Sequence, residues 1–302
     1  MDVERELAAI AYDLRKKRVG DHEYLYEIFD RAGNGKSLGR WSAAHDRQFA
    51  TYHALKRALK ERRKTSWATV EESCRLCRSL RLPLLSSEAG ALLREADRRQ
   101  MLIGKLMVVG TTAMPAYSNE AAGLIDAPEE TEDFDLAWVE AEVEVGAQSL
   151  WSMLKAVDPT YTINSERPFQ ARNAKAYEVE VLVAPSRQAG MGRTDQPRPV
   201  PLAEQEWLLN GTMVDQIVVC RDATPARIVA PDPRWFALQK LWLAVQAKRN
   251  PLKRRKDERQ GHALLDAVAQ TMPQYPLDAT FVKSIPDTLR PAFDEWKKRT
   301  GG

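Results

Sequence analysis

Cysteine is scarce in this chain of 302 residues: three in all, which excludes a disulfide framework. Cys74 and Cys77 make a CxxC, but no second CxxC or His pair completes a tetrahedral zinc site, so both read as structural. No run approaches eighteen consecutive apolar residues, which excludes a membrane-spanning helix. The start, MDVERELAAIAYDLRKKR, lacks the apolar core of a signal peptide, and a cytoplasmic location is the expectation. Histidine is also sparse: His22, His45, His53 and His262 are scattered, and none reads as catalytic. The loop RAGNGKSLGR (31–40) is glycine-rich but lacks the GxxxxGK[ST] order of a P-loop.

What is present is an ordinary globular composition, 44% apolar and 29% charged, long enough for a sizeable core. The net charge of +3 hides a polarised layout. Residues 1–100 hold 21 Lys and Arg against 15 Asp and Glu; residues 101–200 hold 8 against 15; the remainder hold 16 against 12. An acidic centre between basic flanks suits a cation-binding site served by arms that attract polyanions. Solvated helix faces are the plainer account of most of these charges.

Periodicity divides the chain into three. Residues 1–103 read as helical, with EYLYEIF a strand or short helix. Residues 104–230 read as a strand-rich core. LMVVG is a short apolar strand; TTAMPAYSNEAAG is a helix with Pro115 in its first turn. DFDLAWV alternates as a half-buried strand, and AYEVEVLVAP puts Tyr177, Val179, Val181 and Val183 on one face. MVDQIVVC and ARIVA add two strands. Residues 231–302 are helical again, with an apolar face of Phe236, Leu238, Leu241, Trp242 and Val245. The expected fold is α+β: a small mixed sheet with helices on it, flanked by helical N- and C-terminal regions.

Two features in the core carry chemistry. Gly110, Thr111 and Thr112 end a strand at a helix start, where exposed N–H groups and the helix dipole favour phosphate. Asp133 and Asp135, two apart on a strand, point to one side and can share divalent ions. Glu180 on a neighbouring strand would complete the set, and spacing leaves Glu178 on the same face as an alternative. Each feature alone is weak, since Asp-x-Asp solvates many strand edges and Gly-Thr-Thr caps many helices.

The order of these features resembles the DNA polymerase β-like nucleotidyltransferase superfamily. In detail it is similar to a bacterial nucleotidyltransferase-fold family, through EYLYEIFDRAGNGKSLGRWS, VVGTTAMPAYSNEAAG, TEDFDL, RNAKAYEVEVLVAP, APDPRWFALQKLWLA and KRRKDERQ, over about 18 to 270. It also resembles the nucleotidyltransferase toxins of abortive-infection and toxin–antitoxin systems. The resemblance implies that Gly110 and Thr111 meet the triphosphate, that Asp133 and Asp135 bind metal, and that Glu180 stands where the superfamily usually has Asp. It places Lys240 and Asp257 where toxin-like relatives use a lysine and a helix-borne aspartate. From the residues alone, Lys240 is a phosphate cation or a surface lysine beside Trp242; Asp257 orients substrate or pairs with the basic residues around it.

The expected activity is Mg²⁺- (or Mn²⁺-) dependent transfer of a nucleotide from an NTP to an acceptor hydroxyl. RNA, particularly tRNA, is the favoured acceptor on electrostatic grounds, with a toxin or defence role and an antitoxin-like partner protein following from the resemblance. The alternative is an inactive nucleotidyltransferase-fold module that binds nucleic acid or regulates.

Overall fold

The computed structural model describes residues 2–127, 133–143 and 148–301. Thr131, the first residue of the Thr-x-Asp-x-Asp pattern, lies outside them. The chain forms two compact units, one of residues 1–73 with 97–100 and one of residues 74–96 with 101–302.

In the first unit a short helix, α1 (Asp2–Ala9), precedes an antiparallel sheet of β1 (Asp13–Val19), β2 (His22–Ile28) and β3 (Gly35–Arg40). The long helix α2 (Ala43–Ser79) follows. Helices flank both termini as the sequence suggests, and EYLYEIF takes the strand form of its two expected ones, while β1 and β3 correct the expectation of helix at 13–19 and of loop at 35–40. The run DLRKKRV shows no strand-like alternation because its outward positions are cations and only Leu14 is buried. The β1–β2 pair is joined through Gly20 at φ +59°, a conformation glycine adopts without penalty. Its inner face is small: Leu14, Leu25 and Tyr52, with Ile10, Leu38, Trp41 and Phe49 against them.

The second unit is built on a mixed sheet. Its path is β4 (Leu106–Val108), β5 (Asp133–Trp138), β8 (Glu178–Val183), β7 (Gln170–Arg172) and β6 (Thr162–Ile163), with β9 (Val200–Pro201) also paired to β8. The β5–β8 pair is parallel; β4–β5 and β7–β8 are antiparallel. Val179, Val181 and Val183 are fully buried, as alternation required. The strands β10 (Val214–Val219) and β11 (Pro225–Ala230) form a separate two-stranded sheet.

Helices α3 (Ser87–Arg98), α4 (Met114–Glu120) and α5 (Leu150–Val157) punctuate this core, and α6 (Pro233–Ala244), α7 (Pro251–Thr271), α8 (Ala279–Ser284) and α9 (Arg290–Thr300) end the chain. Side chains of Asp232 and Asn250 cap α6 and α7. The single apolar face expected of α6 is corrected: every residue from Trp235 to Leu241 is buried, while Val245, expected to face inward, is 73% exposed just past the helix end. None of the described helices is long and apolar enough to cross a membrane.

Gly261 on α7 sets how closely α7 approaches α6. A Cβ there would stand 2.6 Å from Leu241 Cγ and 2.9 Å from the Ala237 carbonyl oxygen. Gly261→Val therefore overpacks this contact. The expected loss is about 2–3 kcal/mol, read as a lower urea midpoint with an unchanged m-value.

Candidate active site

Strand pairing assembles the carboxylates. In the β5–β8 register Asp133 stands opposite Glu178 and Asp135 opposite Glu180. All four are partly buried, and Phe134 and Val179, pointing the other way, are fully buried and fix the register. Gln170 on β7 binds both glutamates with one amide group: Nε2 donates to Glu178 at 3.0 Å and to Glu180 at 3.1 Å. Asn164 donates to Gln170 Oε1 at 2.6 Å and so orients that amide.

The two glutamates differ in surroundings. Glu178 also pairs with Arg172 at 3.6 Å. Glu180 has its carboxyl raised above the ordinary range, by burial first and then by the charges of Asp135 and Asp133. Asp135 is raised too: burial dominates, the Lys240 charge partly offsets it, and Asp133 adds to it. Asp133, Asp135 and Glu180 thus form one electrostatic group. Among the described residues, no three His, Cys, Asp or Glu side chains are close enough to form a ready-made metal cage.

Gly110 belongs to the same site. Its backbone, φ +70° and ψ −165°, lies in a region open essentially to glycine alone. A Cβ at this position would come within 2.1 Å of Asp135 Oδ2, so the loop lies directly on the carboxylate. The next residues form a single 3₁₀ turn, Thr111–Ala113, which leads into α4 with Pro115 in its first turn. Thr111 and Thr112 are buried, and Thr111 Oγ1 accepts from Gln260 Nε2 of α7 at 3.3 Å. Their side chains pack rather than project.

Opposite the acids stands a set of cations that sequence reasoning placed only in part. Lys240 is neither a surface lysine nor beside water: it is 4% exposed, and its Nζ donates to Asp257 Oδ1 at 2.8 Å. Asp257 is fully buried and also accepts from Arg249 Nε at 2.8 Å. The pairing of Asp257 with residues beside it in RRKDER is thus corrected; its hydrogen-bond partners lie on α6 and in the α6–α7 connection. Lys253 was not singled out, yet its Nζ donates to Asp133 Oδ2 at 3.0 Å. Burial lowers the Lys253 ammonium, but the hydrogen bond and charge of Asp133 outweigh it, and the net shift is upward. Nearby Lys256 is lowered, by burial and then by Lys240. The signal was available: Lys253, Asp257 and Gln260 recur at four and three residues, one face of a helix.

The donor set is all hard oxygen on the acidic side, which suits Mg²⁺ or Mn²⁺ rather than a thiophilic metal. The ammonium of Lys253 on Asp133 shows that this position already attracts a cation.

A family model described as "Nucleotidyltransferase" matches residues 87–285, about two thirds of the chain. Among solved structures, an antigenic nucleotidyltransferase-like protein from Paracoccidioides brasiliensis matches at 16% identity, covering 72% of this chain and 91% of that one, with a TM-score of 0.38. No curated protein matches.

Two outcomes follow from this charge arrangement. Asp257→Ala leaves Lys240 charged and buried without its carboxylate, and a loss of about 3–5 kcal/mol is expected. Adding Lys240→Met should recover much of that loss in a double-mutant cycle of urea unfolding. Glu180→Gln should raise the melting temperature of the metal-free protein at neutral pH. With its folded pKa above the unfolded one, ionised Glu180 opposes folding above that raised value and ceases to do so as pH falls below the unfolded one. The gain should therefore shrink toward pH 4 in a pH series of melting curves.

Proposed function

Because the chain belongs to the nucleotidyltransferase family, we propose that it transfers a nucleoside monophosphate from an NTP to an acceptor hydroxyl and releases pyrophosphate. The observation that carries this reading is the strand register: Asp135 on β5 stands opposite Glu180 on β8, with Asp133 on the same face and Gly110 against Asp135. Asp133, Asp135 and Glu180 would hold Mg²⁺ or Mn²⁺. When bound, the ions would supply charge neutralisation for the triphosphate and a lowered pKa for the acceptor hydroxyl.

The chain's own residues do the rest. Gly110 lets the backbone approach the triphosphate without a side chain between them, with Thr111 and Thr112 lining the turn behind it. Asp257, by holding Lys240 and Arg249, aims two cations at the acidic cleft. Lys253, with its side chain about half exposed, is free to swing from Asp133 to a phosphate oxygen when the carboxylates are taken. The acceptor hydroxyl attacks the α-phosphorus in line, the bond to the bridging oxygen breaks, and pyrophosphate carries away the negative charge. Catalysis of this kind is mostly positioning and electrostatics.

RNA is the acceptor that the basic flanks favour, tRNA included. The likeness to toxin-like nucleotidyltransferases adds a growth-control or defence role, with an inhibitory partner protein. The contact between Lys253 and Asp133 favours a second reading, in which the lysine permanently replaces a metal and the chain is a non-catalytic binding module.

Incubation with each α-labelled NTP, Mg²⁺ or Mn²⁺ and total RNA separates the two. Label should enter RNA, and Asp133→Asn/Asp135→Asn should lower the rate by about 10³-fold or more. No transfer, and no metal-dependent NTP binding by calorimetry, would leave the binding module.

A further inference from the structure

The first unit carries a surface that the catalytic cleft does not use. In an antiparallel pair, directly opposed residues share a face. The β1–β2 register opposes Leu14 to Glu27 and Lys16 to Leu25, and this is the face whose leucines pack with Tyr52 and Phe49 of α2. The other face opposes Arg15 to Tyr26 and Lys17 to Tyr24, and β3 brings Arg40 opposite Tyr24. Lys17 Nζ lies 4.7 Å from the centre of the Tyr26 ring. Arg15 and Arg40 are exposed, while Lys17, Tyr24 and Tyr26 are half-buried. The acid of this face, Asp13, is already paired with Arg15 at 3.0 Å and Lys56 at 3.4 Å. At the Asp13 end the face closes, since Ile28 is fully buried; at the hairpin end Val19 and His22 are exposed.

Two rings among three cations on a twisted sheet match the chemistry of a single nucleic-acid strand. Bases stack on aromatic rings, and phosphates follow the cations. Tyr24 and Tyr26 are two residues apart on one strand, so their Cα atoms stand about 6.8 Å apart on one face. That is about twice the 3.4 Å rise per nucleotide of a duplex strand, so successive bases reach both rings only when unstacked. A duplex, with its bases paired and stacked, cannot use the rings.

We propose that this outer face binds a single strand of nucleic acid, with two bases on Tyr24 and Tyr26 and backbone phosphates at Arg15, Lys17 and Arg40. Resting on the nucleotidyl-transfer reading above, it delivers the RNA acceptor. The role is docking and not chemistry.

The test is fluorescence anisotropy of the full chain with a labelled twelve-nucleotide single-stranded RNA, in parallel with the matching DNA strand and an RNA duplex, at fixed low salt. Tyr24→Ala/Tyr26→Ala should weaken RNA binding by at least thirtyfold, while Tyr24→Phe/Tyr26→Phe, which keeps the rings, should stay within threefold. Binding of the DNA strand within tenfold of RNA is expected, because rings do not read a 2′-hydroxyl. Equal affinity of wild type and the alanine variant, or preference for the duplex, overturns the proposal. Far-UV circular dichroism and melting confirm that each variant is folded. Calorimetric NTP binding should be unchanged in the alanine variant. Label transfer that survives the alanine variant with full RNA affinity sinks this surface and spares the transferase. RNA binding lost in the alanine variant, with no transfer by wild type, sinks the transferase and spares the surface.

Discussion

The parallel pairing of β5 with β8 places like charges where electrostatics would not leave them unaided. Asp135 faces Glu180 and Asp133 faces Glu178 across neighbouring strands, and burial first, then the charges of this row, raise the Asp135 and Glu180 carboxyls. Strands tolerate such a row only if burial on the other face holds the register and cations stand across from it. Phe134, Val179 and Val181 supply the first condition. The α6–α7 pair supplies the second, through Lys240, Arg249 and Lys253. Sheet and helices are therefore electrostatic counterparts, and much of the second unit's construction serves to hold them face to face.

Close approach in two places makes that arrangement possible. Gly110 lies against the Asp135 carboxylate in a backbone conformation that excludes side chains, and Gly261 brings α7 onto Leu241 and Ala237 of α6. Without the second approach, the 2.8 Å contact between Lys240 and Asp257 would lengthen. Gln260, one residue before Gly261, reaches the Thr111 hydroxyl, so the same helix touches both the glycine turn and, through Lys253, the β5 carboxylate. Elsewhere Tyr117 of α4 packs on Phe236 of α6 at 5.1 Å and donates to the Pro231 carbonyl, fixing where the turn before α4 ends up.

Legibility in the sequence followed local pattern. The strands LMVVG, DFDLAW and EVEVLV, with the helices at 233–244 and 251–271, could be read because alternation and helical spacing are properties of adjacent residues. The acids Asp133, Asp135 and Glu180 were legible for the same reason, though only register shows that Asp135, and not Asp133, faces Glu180. Strands β1 and β3 were not legible and EYLYEIF only half so: a thin sheet with few buried side chains has little apolar alternation to display. Lys253 shares a helix face with Asp257 and Gln260, yet nothing local names its partner Asp133, 120 residues away. Of the two readings of Lys240, the surface one fails because its burial depends on the helix that packs over it.

α7 shows why its role is spread along its length. Its first turns carry Lys253 to Asp133 and Asp257 to Lys240 and Arg249; its later turns bury Leu264, Leu265 and Val268 in the core. One helix thus anchors itself with apolar side chains and aims charge with polar ones. A buried aspartate between two cations is a poor way to gain stability, since apolar side chains of similar volume often do as well or better. What Asp257 gives that an apolar residue could not is direction: it holds Lys240 from α6 and Arg249 from the connection in one place, 2.8 Å away on each side. Two cations held at fixed positions beside a row of carboxylates form a preorganised field, set by the fold before anything binds.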